Sequence, residues 1–232
     1  MESTFPLTLT GELDPQLSRW LWLVKMILAI PHFVVLVVLW AGFIIATVIA
    51  WFAILFTGRY PRSLFNYNVG VMRWNWRVGF YVHAALGTDR YPPFSLAVAE
   101  YPATLNVAYP DRLSRGLIFV KWLLAVPHLI IVGLLVGDIM LYPIRSLNEL
   151  GGDMQAAGGY SVINLLVVIA GFFLLITGKY PTSFFDFLMG INRWLYRVLT
   201  YVALMGDEYP PFRLDAGPTE PTTSTGSTGK TS

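Results

Sequence analysis

Ionisable side chains recur at a fixed spacing within apolar stretches of this sequence. Ser18, Lys25 and His32 follow one another at seven-residue intervals, which places them along one face of a helix. Ionisable groups inside an apolar helix are costly and are candidate functional groups. One interpretation is a polar track for protons, ions or a lipid headgroup, completed by Lys121 and His128, which lie 96 positions later. The other is that each lysine extends to the membrane interface and each histidine donates a local hydrogen bond where a proline disturbs the helix.

A second set of candidate residues is basic and lies in aromatic segments. Arg73 and Arg77 recur as Arg193 and Arg197, 120 positions later. On a helical wheel the second pair shares a stripe with Asp186, and apolar residues occupy most of the other side, so the pattern predicts an amphipathic helix with a basic face. Such a face could bind phosphate headgroups or a protein partner. The alternative is an ordinary basic face that pairs with Asp186 and with acidic residues of the loops.

Both sets belong to an internal repeat. Leu17-Ser18-Arg19 recurs after 96 positions, whereas Thr57-Gly58-Arg59-Tyr60-Pro61 recurs after 120 and Tyr91-Pro92-Pro93-Phe94 after 118. The step between these offsets predicts a duplicated unit with about 24 extra residues in its second copy. We therefore expect repeat 1 at 5–96, repeat 2 at 97–214 with an insertion at 138–160, and a disordered tail at 215–232, which is mostly Gly, Pro, Thr and Ser.

The composition indicates a membrane protein. The chain is 55% hydrophobic and 13% charged, with a mean hydropathy of +0.57, whereas globular proteins average about 25% charged residues. A net charge of +2 without a dense basic patch argues against nucleic-acid binding. The absence of cysteine excludes thiolate metal sites and cysteine nucleophiles. No nucleophile elbow, paired acids within a span or metal-ligand spacing is present, and a haem between the two histidines would need more room and more helices. We expect no enzyme activity, metal or cofactor.

The apolar segments are predicted to cross the membrane. Between Trp20 and Phe56 only Lys25 is charged, and one helix of that length would reach roughly 55 Å against a hydrocarbon core of about 30 Å. Two tight spans joined near Trp40-Ala41-Gly42 fit that thickness; the rival is one long helix bent at Pro31, with its first half in the interface. In repeat 2 the insertion separates two spans, 116–137 and 161–177. The prediction is four spans in two helical hairpins.

The third segment of each repeat, 63–86 and 183–205, is predicted to lie flat in the interface because mid-helix arginines argue against spanning. Spanning is the alternative and would give inverted copies. Short extended pieces begin each repeat, at Phe5–Leu9 and Tyr101–Val107, and Phe94–Val98 is a possible partner of the second. Basic residues flank the spans, so both termini are predicted on the cytoplasmic side of a multi-pass protein of the inner membrane.

Several of these motifs carry a family resemblance. They are Leu113-Ser114-Arg115 with Lys121 and Pro127-His128, Phe56 to Pro61, Arg73-Trp74, and Asp89 to Leu96. With them the chain resembles, over about residues 5–214, the bacterial membrane family catalogued as domain of unknown function 4389, whose members often carry tandem copies. Repeat 2 departs by its insertion and by Lys179 and Thr182 in place of Arg59 and Arg62. The resemblance implies architecture and no activity.

The sequence therefore predicts an all-α membrane protein of two tandem repeats, each a transmembrane hairpin with an interfacial amphipathic helix and a short extended start. We expect a non-enzymatic scaffold or accessory subunit. Its basic cytoplasmic surface would contact the bilayer, anionic lipids, a membrane protein partner or a second copy. The alternative is a small transporter or channel that uses the lysine and histidine track between the repeats.

Overall fold

The computed structural model describes residues 5–136 and 162–219, and within them the chain is mostly helical. Its elements, in chain order, are β1 (Leu7–Gly11), α1 (Trp22–Leu28), α2 (Ile30–Thr57), α3 (Arg62–Tyr81), β2 (Ala103–Val107), α4 (Leu117–Val136), α5 (Val162–Thr177) and α6 (Thr182–Val202).

The two extended pieces form one antiparallel ribbon that joins the repeats. Leu9 of β1 lies opposite Leu105 of β2, and these residues occupy the same position in the two repeats. An antiparallel pairing of equivalent residues places a local two-fold axis through the pair, perpendicular to the ribbon. Leu7 and Leu9 are buried while Thr8 is exposed, so one face of the ribbon is covered and the other is open. The suggested pairing of Phe94–Val98 with the second piece is wrong, because β1 takes that place.

The first long apolar segment is not a hairpin. Trp40, Ala41 and Gly42 lie inside the 28-residue helix α2, which ends at Thr57 and is capped by Gly58 with φ of 69°. A single glycine inside a helix costs only about 1 kcal/mol. Here it also makes room for Tyr67, whose hydroxyl donates to Leu39 O at 3.0 Å. The prediction of two spans in this repeat is wrong. The rival prediction of one long helix bent at Pro31 describes it better, because α1 ends at Leu28 and α2 begins at Ile30 with Pro31 in its first turn.

Helices α4 and α5 coincide with the two predicted apolar segments of repeat 2. By the repeat offsets they correspond to the first and second parts of the α1–α2 segment. The predicted insertion at 138–160 lies outside the described residues. In the part of the chain that the structure describes, only α2 is long and apolar enough to cross a membrane, and the apolar stretches Leu117–Gly133 and Val162–Thr177 are shorter.

The elements form three layers along the two-fold axis. α3 packs between the ribbon and α2, and α6 packs against β1, α4 and α5. Both middle helices are buried around most of their circumference, with Trp76 and Phe80 on α3 and Tyr196 on α6 in the shared core. The prediction of amphipathic helices with one open face is therefore wrong for α3 and α6, because the ribbon and its adjoining loops cover the side that carries the arginines.

The predicted disordered tail begins too early. Asp215 is buried, with 8% of its surface exposed, and forms an ion pair with Arg197. Gly11 N donates to Pro218 O at 3.1 Å, so the end of β1 and this C-terminal segment lie side by side. Residues 220–232 lie outside the described part of the chain.

Candidate functional site

Lys25 is buried and paired within its own repeat. Its Nζ lies 2.8 Å from Asp89 Oδ1 and donates to Thr88 O at 2.7 Å, and it also lies 5.0 Å from the centre of the Tyr81 ring. Only 1% of the lysine is exposed. Asp89 also accepts a hydrogen bond from Ser18 N at 2.5 Å. The lysine therefore ties the start of the helical segment to the loop after α3 instead of reaching an interface.

Lys121 repeats this arrangement. Its Nζ lies 2.7 Å from Asp207 Oδ1, donates to Gly206 O at 2.8 Å and lies 5.3 Å from the centre of the Tyr201 ring. Ser114 N donates to the same aspartate at 2.6 Å. We did not identify Asp89 and Asp207 as lysine partners from the sequence, although both aspartates recur before the Tyr-Pro-Pro-Phe motif as regularly as the lysines do.

The two histidines are buried among aromatic rings. His32 Nδ1 accepts a hydrogen bond from Trp74 Nε1 at 3.0 Å, and its ring stacks on Phe94 with the centroids 3.9 Å apart. His128 has the same relation to Trp194, at 3.1 Å, and to Phe212, at 3.8 Å. An indole N–H can only donate, so Nδ1 must be the acceptor. The interpretation that the histidines donate locally is wrong for this nitrogen.

The structure does not join the lysines and histidines into one track. Each lysine pairs with an aspartate of its own repeat, and each histidine contacts a tryptophan of its own repeat. A cavity of about 310 Å³ does lie between the repeats, but none of these four residues lines it. Its polar walls include Asn75, which donates to Tyr196 Oη at 2.8 Å, and Asn192, which donates to Ala84 O at 3.1 Å.

The four arginines of the predicted basic face lie beneath the ribbon. Arg77, Arg193 and Arg197 are each at most 1% exposed, and Arg73 is half-buried. The prediction of an exposed basic face at these positions is therefore wrong. Burial lowers the pKa of Arg73 and of Arg77, and the neighbouring charge of Arg73 lowers the pKa of Arg77 further.

Two of these arginines donate hydrogen bonds to the ribbon. Arg73 Nε donates to Leu105 O at 3.0 Å, and Arg193 Nε donates to Leu9 O at 2.9 Å. Each arginine therefore binds the strand contributed by the other repeat. Reciprocal contacts of this kind are those of a two-fold interface.

Five exposed basic residues lie at the ends of the apolar helices. Arg59, Arg112 and Arg115, which we call the first basic cluster, surround Gly58 after the end of α2. At the equivalent place in the other repeat, Arg19 contacts Gly178 next to Lys179. All five cations are exposed, and a cation near the C-terminal end of a helix is favoured by the helix dipole.

Among residues 5–136 and 162–219, no group of three or more histidine and acidic side chains could hold a metal ion. The comparison with protein families gives one match, described as "Domain of unknown function (DUF4389)", over residues 19–95 and 159–213, which is more than half of the chain. No curated protein matches the sequence. No solved structure matches it either.

Proposed function

We propose that this chain, which belongs to the family described as Domain of unknown function (DUF4389), is a non-enzymatic membrane scaffold that embeds one apolar face in the cytoplasmic leaflet of the inner membrane. The observation that carries the proposal is the one-sided distribution of polarity along the two-fold axis. Apolar helices form one side of the molecule, and the polar face of the ribbon forms the other.

The apolar side is exposed over the full length of the long helices. The residues from Met26 to Gly58 include no Asp, Glu, Lys or Arg. One stripe of α2 packs on α3, and the opposite stripe exposes large apolar side chains, among them Val34, Val38, Ile45, Ile49 and Phe52. Helices α4 and α5 expose similar residues, including Leu123, Ile130, Phe172 and Ile176. A continuous apolar surface of this kind is typical of a membrane or partner contact.

The opposite side cannot enter hydrocarbon. Among the described residues the ribbon has two strands, so no further strand pairs with either outer edge, and Thr8, Thr104 and Asn106 are exposed. Open strand edges are not tolerated within the lipid core. Because Arg73 and Arg193 fix this ribbon to the middle of α3 and α6, those helices would lie outside the core, and the helices packed beneath them would lie in the plane of the leaflet.

The basic helix ends give this surface an orientation. The first basic cluster and the pair Arg19 and Lys179 lie at opposite ends of the apolar layer, where headgroups would surround it. Anionic lipids of the cytoplasmic leaflet attract such cations by about 1 kcal/mol each. Both described ends of the chain lie together on the ribbon side, which would face the cytoplasm and remain open to a membrane protein partner or a second copy.

The alternative function, a small transporter or channel, is not supported by the positions of the lysines and histidines. That reading needed Lys25, His32, Lys121 and His128 to face one another between the repeats. Their partners lie within their own repeats instead, and no other observation favours it.

Cysteine accessibility tests the embedding directly, since the chain has no native cysteine. Arg19→Cys and Arg59→Cys mark the two ends of the α1–α2 segment, and Thr104→Cys marks the ribbon. In inverted and right-side-out vesicles, we expect a membrane-impermeant maleimide to label all three from the cytoplasmic side only. Labelling of Arg19→Cys and Arg59→Cys from opposite sides would mean that α2 spans, and the single-leaflet arrangement would be wrong.

Vesicle flotation tests the basic ends. Replacing the three arginines of the first basic cluster by alanine should weaken binding to anionic vesicles by about 100-fold and leave binding to neutral vesicles unchanged. The matched control is Arg90→Ala, an exposed arginine outside the helix ends. Equal binding of the wild-type protein to neutral and anionic vesicles would contradict the role given to these cations.

A further inference from the structure

The two repeats differ at their second arginine. Arg197 in repeat 2 pairs with a carboxylate, because its Nη2 lies 2.6 Å from Asp215 Oδ2. By the offset of the Tyr-Pro-Pro-Phe motif, the sequence counterpart of Asp215 is Ala97. Repeat 1 therefore has no acidic residue at the position that neutralises the arginine of repeat 2.

Arg77, the counterpart of Arg197, is buried without an ion-pair partner among the described residues. Its Nη2 donates to Ser95 O, whereas its Nε and Nη1 have no hydrogen-bond partner in the described part of the chain. Only 1% of the residue is exposed. A buried charge with unsatisfied donors is costly unless a counter-ion is supplied.

A cavity of about 420 Å³ opens beside these donors. Arg73 and Arg77 are its basic lining residues, and the others are Val98, Ala99 and the residues of β2 from Ala103 to Asn106. No acidic residue lines it. It adjoins the ribbon, on the side of the molecule opposite the apolar helices, so a ligand would enter from the aqueous phase.

We propose that this cavity binds a small soluble oxyanion, a carboxylate or a phosphate group, with Arg77 as its main ligand and Arg73 as the second cation. In repeat 2 the carboxylate of Asp215 supplies the counter-ion of Arg197, and it indicates the chemistry that Arg77 lacks. Guanidinium groups form their strongest hydrogen bonds with carboxylate and phosphate oxygens. The inference goes beyond membrane attachment and does not depend on it, because the cavity and the apolar face lie on opposite sides.

Thermal unfolding of the purified full chain in a neutral detergent tests this site. Phosphate or acetate is titrated against chloride at constant ionic strength, and tryptophan fluorescence reports Tm. We expect a saturable rise in Tm, of about 5 °C or more at 100 times the Kd. A change that is linear in concentration and equal for all anions would overturn the proposal.

Two variants locate the effect. Arg77→Gln removes the main ligand and should abolish the saturable rise. Ala99→Asp keeps both arginines and adds a carboxylate to the cavity wall; it should raise Tm in chloride and remove the response to added anion. The matched control, Arg90→Gln, should respond like wild type. If Arg77→Gln does not fold, the Ala99→Asp variant decides, and an unchanged anion response in that variant would contradict the assignment.

A last experiment distinguishes the two candidate ligands, a soluble anion and a lipid headgroup. The same titration is made with the chain in nanodiscs of neutral lipid and of anionic lipid. We expect phosphate or acetate to raise Tm in neutral nanodiscs. If anionic lipid raises Tm while both soluble anions have no effect, the ligand is a headgroup and the proposed soluble site is wrong.

Discussion

Replacing Asp89 by alanine tests the lysine pairing most directly. The change removes the counter-ion of Lys25 and the acceptor of Ser18 N, and leaves the ammonium with Thr88 O as its only hydrogen-bond partner among the described residues. Removing one partner of a buried ion pair costs about 3–5 kcal/mol. The Asp89 side chain retains 20% exposure, so we expect the lower end, about 3 kcal/mol. For a chain of this size that lowers Tm by about 6–12 °C.

The assay is thermal unfolding in detergent, compared across a double-mutant cycle. Lys25→Met removes the buried charge and keeps the length of the side chain, so it should cost about 1 kcal/mol. Adding Lys25→Met to Asp89→Ala should restore most of the stability lost in Asp89→Ala, because no uncompensated charge remains. Asp207→Ala is the matched change in repeat 2, and Asp111→Ala, an exposed residue, is the neutral control. Additive losses in the double variant would refute the reasoning that the buried charge sets the cost.

The remaining predictions concern a hydrogen bond, a turn and a titration. Trp74→Phe leaves the buried Nδ1 of His32 without its donor and should lower the unfolding free energy by about 1–3 kcal/mol, read from thermal unfolding; an unchanged Tm would contradict this. Gly58→Ala and Gly178→Ala force alanine to a φ of 69° and 71°, and each should cost about 1 kcal/mol, because the exposed Arg19 guanidinium beside Gly178 can move away from the new methyl group; an unchanged Tm in either variant would contradict this. Burial raises the pKa of Tyr60 to about 12. Since the folded state then retains its proton to higher pH than the unfolded chain, the stability from this residue is complete below about pH 10 and falls between about pH 10 and pH 12. Tyr60→Phe should make the alkaline decline of the unfolding free energy smaller, and the rest should remain because burial also raises the pKa of Tyr101, Tyr180 and Tyr196; an unchanged decline would contradict this.

The repeat offsets carried most of what the sequence could predict. They placed the extended pieces that form the ribbon and the positions of α3, α4, α5 and α6. They also indicate the ion pairs of the lysines, because Asp89 and Asp207, the partners of Lys25 and Lys121, recur in the two repeats as the lysines do. We missed that pairing because partners 64 positions apart in repeat 1 and 86 positions apart in repeat 2 have no helical or strand periodicity to reveal them.

The errors arose where burial depends on distant segments. A helical wheel shows that Arg193 and Arg197 share a stripe, but the group that covers Arg193 is Leu9 O, 184 positions earlier. Likewise, the length of the first apolar segment favoured two crossings of the bilayer. Length gives the number of crossings only for a segment along the membrane normal, and Gly42 does not interrupt α2 because Tyr67 packs against it and donates to Leu39 O.

The contacts between the repeats explain why two units form one fold. Arg73 binds the strand of repeat 2, Arg193 binds the strand of repeat 1, and Leu113 N donates to Gly58 O at 2.9 Å. Each repeat therefore completes hydrogen bonds that the other cannot satisfy alone, and the two-fold axis that relates these contacts passes from the ribbon to the apolar helices. A symmetry axis in that direction makes the two ends of the apolar layer equivalent to each other and its two faces different. The proposed embedding in a single leaflet requires a fold with equivalent ends and unlike faces, so the ribbon supports that proposal as well as the apolar helices do.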